Sequence, residues 1–212
     1  MGVPLIPDRA ASRSQPTRSF DARANVLAAQ RLGVLGVAAL SVAALAVAAA
    51  VGAVPLAGAV AVALLVPAAV VDVAERRLPD VWLVAALGAL IVLLTADLAF
   101  GASTLTDPAF GGIVGGGAAM ALPVLALHLL SPASMGFGDV KAAAVLGAAA
   151  GTVDWRLGAV ALCLASLGGA AVGVLTRRRT IAFGPFLVFG AWLTLLAHEW
   201  LADVVLSGGV TP

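Results

Sequence analysis

Two aspartates stand where the chain otherwise avoids charge. Asp72 follows a run of 40 residues, Leu32 to Val71, without a charged side chain. Asp139 lies in Met135-Gly-Phe-Gly-Asp-Val-Lys141, just ahead of another apolar stretch. Ionisable groups at membrane depth are costly and usually mark function. Two carboxylates brought together can hydrolyse a peptide bond. The ionised one takes a proton from water, and the neutral one gives a proton to the carbonyl oxygen. Acids held about 3 Å apart share one proton and titrate as a pair. Taken alone, Asp72 also reads as the last polar residue before a loop, and Asp139 as a helix N-cap. Gly136 and Gly138 favour chemistry at Asp139, because a plain N-cap needs neither. Lacking side chains, they allow unusual backbone angles and leave room for a substrate strand. The residue types leave open which aspartate is the base.

The other candidates are weaker. Asp80 follows Pro79 and reads as the cap of the next helix, and Glu75 as a loop charge beside Arg76 and Arg77. Lys141 is two residues beyond Asp139, so on a helix it points about 200° away from it. It reads as an interfacial lysine reaching for water, or as a residue orienting the loop. His128 and His198 have no metal-ligand spacing and read as ordinary helix residues. Ser131 and Ser134 lack the setting of a serine nucleophile. Cys163 is the single cysteine, which excludes an internal disulfide, a Cys-pair zinc site and an iron–sulfur cluster. No metal and no cofactor are expected.

The elements that must position these residues are membrane spans. Hydrophobic residues make up 62% of the 212 and charged residues 11%, against ~45–50% and ~25% in soluble domains. Disorder is excluded by the same figures, and a net charge of +1 argues against a nucleic-acid partner. The uncharged run would form about 60 Å of helix, twice the ~30 Å hydrocarbon core. It must therefore turn, most simply at Gly52–Pro55. This spacing predicts an all-α polytopic membrane protein with about seven transmembrane helices, near 32–52, 55–74, 81–100, 110–131, 139–153, 157–176 and 182–202. With the N-terminus inside, eleven of the twelve Lys and Arg residues fall on the cytoplasmic side and Arg156 alone outside, the bias expected of short inner loops. Trp82, Trp155 and Trp200 fall at interfaces. Gly147–Gly151, Gly169–Gly173 and the cluster Gly111, Gly112, Gly115, Gly116 and Gly117 are small-residue surfaces that let helices approach closely in lipid.

Three stretches carry a family resemblance. Asp72-Val-Ala-Glu-Arg-Arg-Leu-Pro-Asp80, Met135-Gly-Phe-Gly-Asp139-Val-Lys141 running on to Leu146-Gly147 and Gly151, and Phe183-Gly184-Pro185-Phe186-Leu187 resemble, in family order, elements of the type IV prepilin peptidases. The resemblance covers about residues 55–203. It implies a GxGD-type aspartic membrane protease with Asp72 and Asp139 catalytic, and Gly136, Gly138 and Lys141 in the active-site loop. Glu75, Asp80, Phe183, Gly184 and Pro185 become candidates for substrate contact. Asp80 stands where the family has Asn, Ala142 where it has Leu, and Ala182 where Pro is frequent; none touches the dyad. Bifunctional members carry paired Cys-x-x-Cys motifs in a methyltransferase region, and this chain has no cysteine before Cys163. Leader cleavage without N-methylation is therefore the expectation, as in compact members of the tight-adherence (Flp) pilus kind.

The expected organisation is a flexible basic cytoplasmic arm at 1–31, an extra N-terminal transmembrane helix at 32–54, a six-helix peptidase core at 55–206 and a short external tail at 207–212. The expected setting is the inner (cytoplasmic) membrane, with the lipid bilayer and prepilin-like proteins as partners. Oligomeric state is not legible. The competing reading is a small ion- or proton-coupled transporter or channel subunit whose two aspartates hold a cation. Inverted repeats would favour it, and none is found.

Overall fold

A computed structural model describes residues 35–36, 38–50, 52–75, 79–100, 109–132, 135–177 and 181–201, with the backbone alone at Ala74, Glu75, Asp97, Leu98 and Ala109. The arm at 1–31, the tail at 207–212, Arg76, Arg77, Arg178 and Arg179 lie outside the described residues. The chain divides into two units, Met1–Val37 and Ala38–Pro212, and the second holds both Asp72 and Asp139.

The regular structure of this second unit, among the described residues, is all helical. Helix α1 runs Ala38–Ala50, α2 Leu56–Glu75, α3 Asp80–Phe100, α4 Ala109–Leu130, α5 Phe137–Ala150, α6 Arg156–Thr176, α7 Gly184–Leu196 and the short α8 His198–Leu201. Helices α1 to α7 fall at the seven expected spans, the last ending at Leu196, and all but α5 are apolar. By length and hydropathy, α2, α4 and α6 each suffice to cross a bilayer. Large apolar side chains face outward, among them Val84 and Val92 on α3, Leu122 and Leu130 on α4, and Leu167 and Val174 on α6. In water that surface would aggregate; in lipid it needs no cover. This is an all-α membrane protein.

The expected turn at Gly52–Pro55 is present and has a definite form. Gly52 takes φ +75°, its N–H bonds to the Ala49 carbonyl, and that of Ala53 to Ala48. Those two bonds close α1 in a Schellman motif, which needs a left-handed residue and so favours glycine. Helix α1 also docks on the core. Leu45 is fully buried, and Trp192 Nε1–H of α7 donates to the Ser41 carbonyl over 3.2 Å.

Helix α5 is the centre of the bundle. Its 14 residues span about 21 Å, less than the hydrocarbon core. Val140, Ala142, Ala143, Val145, Leu146, Gly147, Ala149 and Ala150 on it are buried. Helix α4 packs against it at backbone distance. A Cβ on Gly116 would run into the Gly147 carbonyl, and one on Gly151 into that of Gly112. Here the small-residue surfaces act as expected. Gly169 and Gly173 differ: they receive side chains, the Phe183 ring and Ile181 Cδ1, rather than a second backbone.

Candidate active site

Asp72 lies in the last turn of α2 and is 6% exposed. The backbone N–H of Gly184 is directed at its carboxyl. Gly184 is the first residue of α7, followed by Pro185 in the first turn. A helix leaves its first four N–H groups without internal partners, and that of Gly184 is one of them. Asp72 Oδ2 is buried and, among the described residues, has no hydrogen-bond partner. A buried unpaired carboxylate oxygen is rare in a native protein and calls for a partner in function.

Asp139 approaches from α5. The helix begins at Phe137 with Gly136 as its N-cap, so Asp139 is the third residue inside it. The N-cap reading of Asp139 is thereby corrected. Its carboxyl reaches back to the Gly136 N–H, the return half of a capping box, while its own N–H bonds to the Gly136 carbonyl over 3.1 Å. Gly136 is extended, at φ −73° and ψ 147°, which any residue adopts. Unusual backbone angles therefore do not explain it, and open space does. A Cβ there would find nothing nearer than Asp139 Oδ2 and the Gly138 N–H, both at 3.9 Å. Asp139 is half-buried and within electrostatic reach of Asp72. Two carboxylates from separate helices, 67 positions apart in the chain, thus share one site.

Lys141 turns away from this pair, as helical geometry requires. Its Nζ bonds to Asp80 Oδ1 over 3.0 Å and lies 5.6 Å from the centre of the Phe137 ring. Asp80 opens α3, and its side chain is spent on Lys141 rather than on a cap. Phe183 stands over Gly169 of α6, where an added Cβ would meet its ring, and it packs against the core. The side chain of Glu75 lies outside the described residues. A groove of about 490 Å³ between α3 and α5 is lined by Leu83, Val84, Leu87, Ala144 and Val145, with Asp80 and Lys141 at its rim. Neither aspartate of the pair lines it. Among the described residues, no three His, Cys, Asp or Glu side chains gather as metal ligands.

Two features escape the sequence. Gly184 reads there only as a candidate for substrate contact, and the structure also directs its N–H at Asp72. His128, read as an ordinary helix residue, bonds through Nδ1 to the Met135 carbonyl over 2.8 Å. A contact across seven residues, through a loop of irregular course, leaves no periodic signal.

Residues 59–174 match the model of the type IV leader peptidase family. A prepilin leader peptidase/N-methyltransferase of Pseudomonas aeruginosa is 31% identical over 150 residues, 68% of this chain and 50% of that protein. A protein of the same description from Escherichia coli is 32% identical over 139 residues, 63% of this chain and 59% of that one. The matched stretches thus span between half and three-fifths of these relatives. No solved structure matches the chain.

Proposed function

We propose, from the premise that the chain belongs to the type IV leader peptidase family, that it is an aspartic endopeptidase of the membrane. It removes short basic leaders from prepilin-like proteins at the cytoplasmic face. The observation that carries this reading is the unpartnered Oδ2 of buried Asp72 beside a second carboxylate on α5. A water held between the two would supply the missing partner and the nucleophile together. Asp72 and Asp139 then share one proton through the reaction: one takes the water's proton as the other protonates the carbonyl oxygen. Gly136 and Gly138 keep the approach to Asp139 free of side chains. The inner-membrane setting and an inward N-terminus follow from the distribution of Lys and Arg. The chain has one cysteine, Cys163, so no Cys-x-x-Cys pair supports methyl transfer by these residues.

The test is co-expression with a prepilin-like reporter whose basic leader ends in glycine at the start of an apolar helix. The wild-type chain is expected to give a size-shifted band. If every plausible reporter stays intact, the peptidase reading fails.

A shared-proton pair also fixes the shape of the pH–rate profile. At low pH both carboxyls are protonated and no base is left; at high pH both are ionised and no acid is left. The expected result is a bell whose limbs belong to the pair and not to either residue. A flat rate from acidic to neutral pH would count against it.

Glu75 ends α2, one turn beyond Asp72, and we assign it to leader contact. A charge contact at a wet membrane surface contributes ~0.2–1 kcal/mol. Glu75→Lys is therefore expected to raise KM for a basic leader by a factor of about 2 to 5, with kcat unchanged. Equal KM for basic and acidic leaders in both proteins would remove Glu75 from the site.

A further inference from the structure

The first turn of α5 is held on the side facing away from Asp72. His128, in the last turn of α4, has Nδ1 2.8 Å from the Met135 carbonyl. A carbonyl only accepts, so Nδ1 carries the proton and donates. The same imidazole lies against the Phe137 ring, centroids 5.7 Å apart and tilted 52°. Lys141 stands over that ring and closes on Asp80 of α3. Phe137 and Lys141 are four residues apart and share a helix face. Asp139, halfway between them, is on the opposite face, towards Asp72.

From this we propose that His128, Phe137, Lys141 and Asp80 form a brace that sets the rotation and height of Asp139 against Asp72. The inference rests on the peptidase reading above and deepens it. Asp80 becomes a positioning residue rather than a leader contact, and Lys141 a loop residue that positions through it. The ion pair is largely exposed, its side chains 44% and 69% accessible, so it adds little stability and acts through geometry. His128 is the firmer end, because it ties a backbone carbonyl of the loop to a neighbouring helix. A dyad is sensitive to such placement, since a displacement of about 1 Å costs on the order of a hundredfold in rate. Asp80 is an acid, so its contact to Lys141 is an ion pair.

Two measurements on the full chain in detergent test the brace. One is kcat and KM on the glycine-ended basic-leader reporter; the other is amide exchange across residues 135–142. His128→Ala is expected to lower kcat about tenfold or more, to leave KM within about twofold, and to speed exchange in that segment. His128→Asn is the rescue, because its amide nitrogen sits where Nδ1 does and donates to the same carbonyl; its kcat should return to within a few-fold of wild type. Asp80→Asn and Lys141→Ala should each lower kcat a few-fold at constant KM. Should His128→Ala fail to accumulate, those two variants decide alone. Wild-type kcat and exchange in His128→Ala, equal loss in His128→Ala and His128→Asn, or a rise in KM alone at Asp80 and Lys141 would each overturn the proposal. A wild-type chain that cleaves nothing, while His128→Ala still speeds exchange, sinks the peptidase reading and leaves the brace standing.

Discussion

Replacing Asp139 by Asn is expected to abolish leader cleavage while the protein still inserts and accumulates. Asn is nearly isosteric, and its side chain still accepts the Gly136 N–H that Asp139 accepts. The start of α5 should therefore survive. What is lost is the proton: an amide neither takes one from water nor gives one to a carbonyl oxygen at neutral pH. Asp72→Asn should behave alike, and it keeps the shape of a buried side chain while removing the cost of burying a charge, so this variant should be no less stable than wild type. General acid–base assistance is worth ~10²–10⁴ for each group. Because the two act as one unit, either change alone should remove most of the rate. We expect a loss of at least about a thousandfold in each, with the double variant scarcely worse. The measurement is the initial rate on the reporter, with the inserted enzyme quantified by immunoblot. Residual cleavage above a tenth of the wild-type rate in either variant would remove that aspartate from the chemistry.

The parts of this site differ in how plainly the sequence announces them. The spans are legible because the bilayer demands long uncharged helices, and an uncharged run of 40 residues cannot be read as one span. The direction of Lys141 is legible from helical period alone, and the structure has it turned from Asp139 onto Asp80. The start of α5 is misplaced by two residues for a local reason. An Asp ahead of an apolar run signals an N-cap, yet Gly136 takes the cap and Asp139 reaches back to it from the third helical position. The N–H that Gly184 offers to Asp72 could not be seen at all. It depends on where α7 begins against the end of α2, more than a hundred positions away, and no local pattern encodes that meeting. The same holds for His128 and Met135, whose contact depends on how one loop folds back.

A leucine at Gly147 is expected to destroy the fold, whereas one at Gly111 should be tolerated, although both glycines belong to small-residue clusters of adjoining helices. Around Gly147 a Cβ alone would strike the Gly116 carbonyl and come within 2.7 Å of Met120 Cβ. The obstacle is partly main chain, so no rotamer change removes it, and α4 and α5 would have to move apart. Separation breaks the reciprocal contacts as well, since Gly116 faces the Gly147 carbonyl and Gly158 of α6 faces the Gly116 carbonyl. In lipid, close packing is itself the force between helices. Overpacking an ordinary core costs ~1–3 kcal/mol. Against a rigid backbone the loss should reach about 3 kcal/mol or more, a large part of a ~5–15 kcal/mol stability. At Gly111 a Cβ meets nothing within 4 Å among the described residues, so the leucine is expected to cost little. Size-exclusion profiles in mild detergent, with melting followed on the same samples, separate the cases. Gly147→Leu should lose its monodisperse peak and Gly111→Leu should keep it. Because α5 also carries Asp139, the Gly147 variant should lose cleavage together with the fold. If instead it stayed folded but inactive, α5 would be free to shift against α4 without unfolding, and the tight packing would set the position of Asp139 rather than the stability of the bundle.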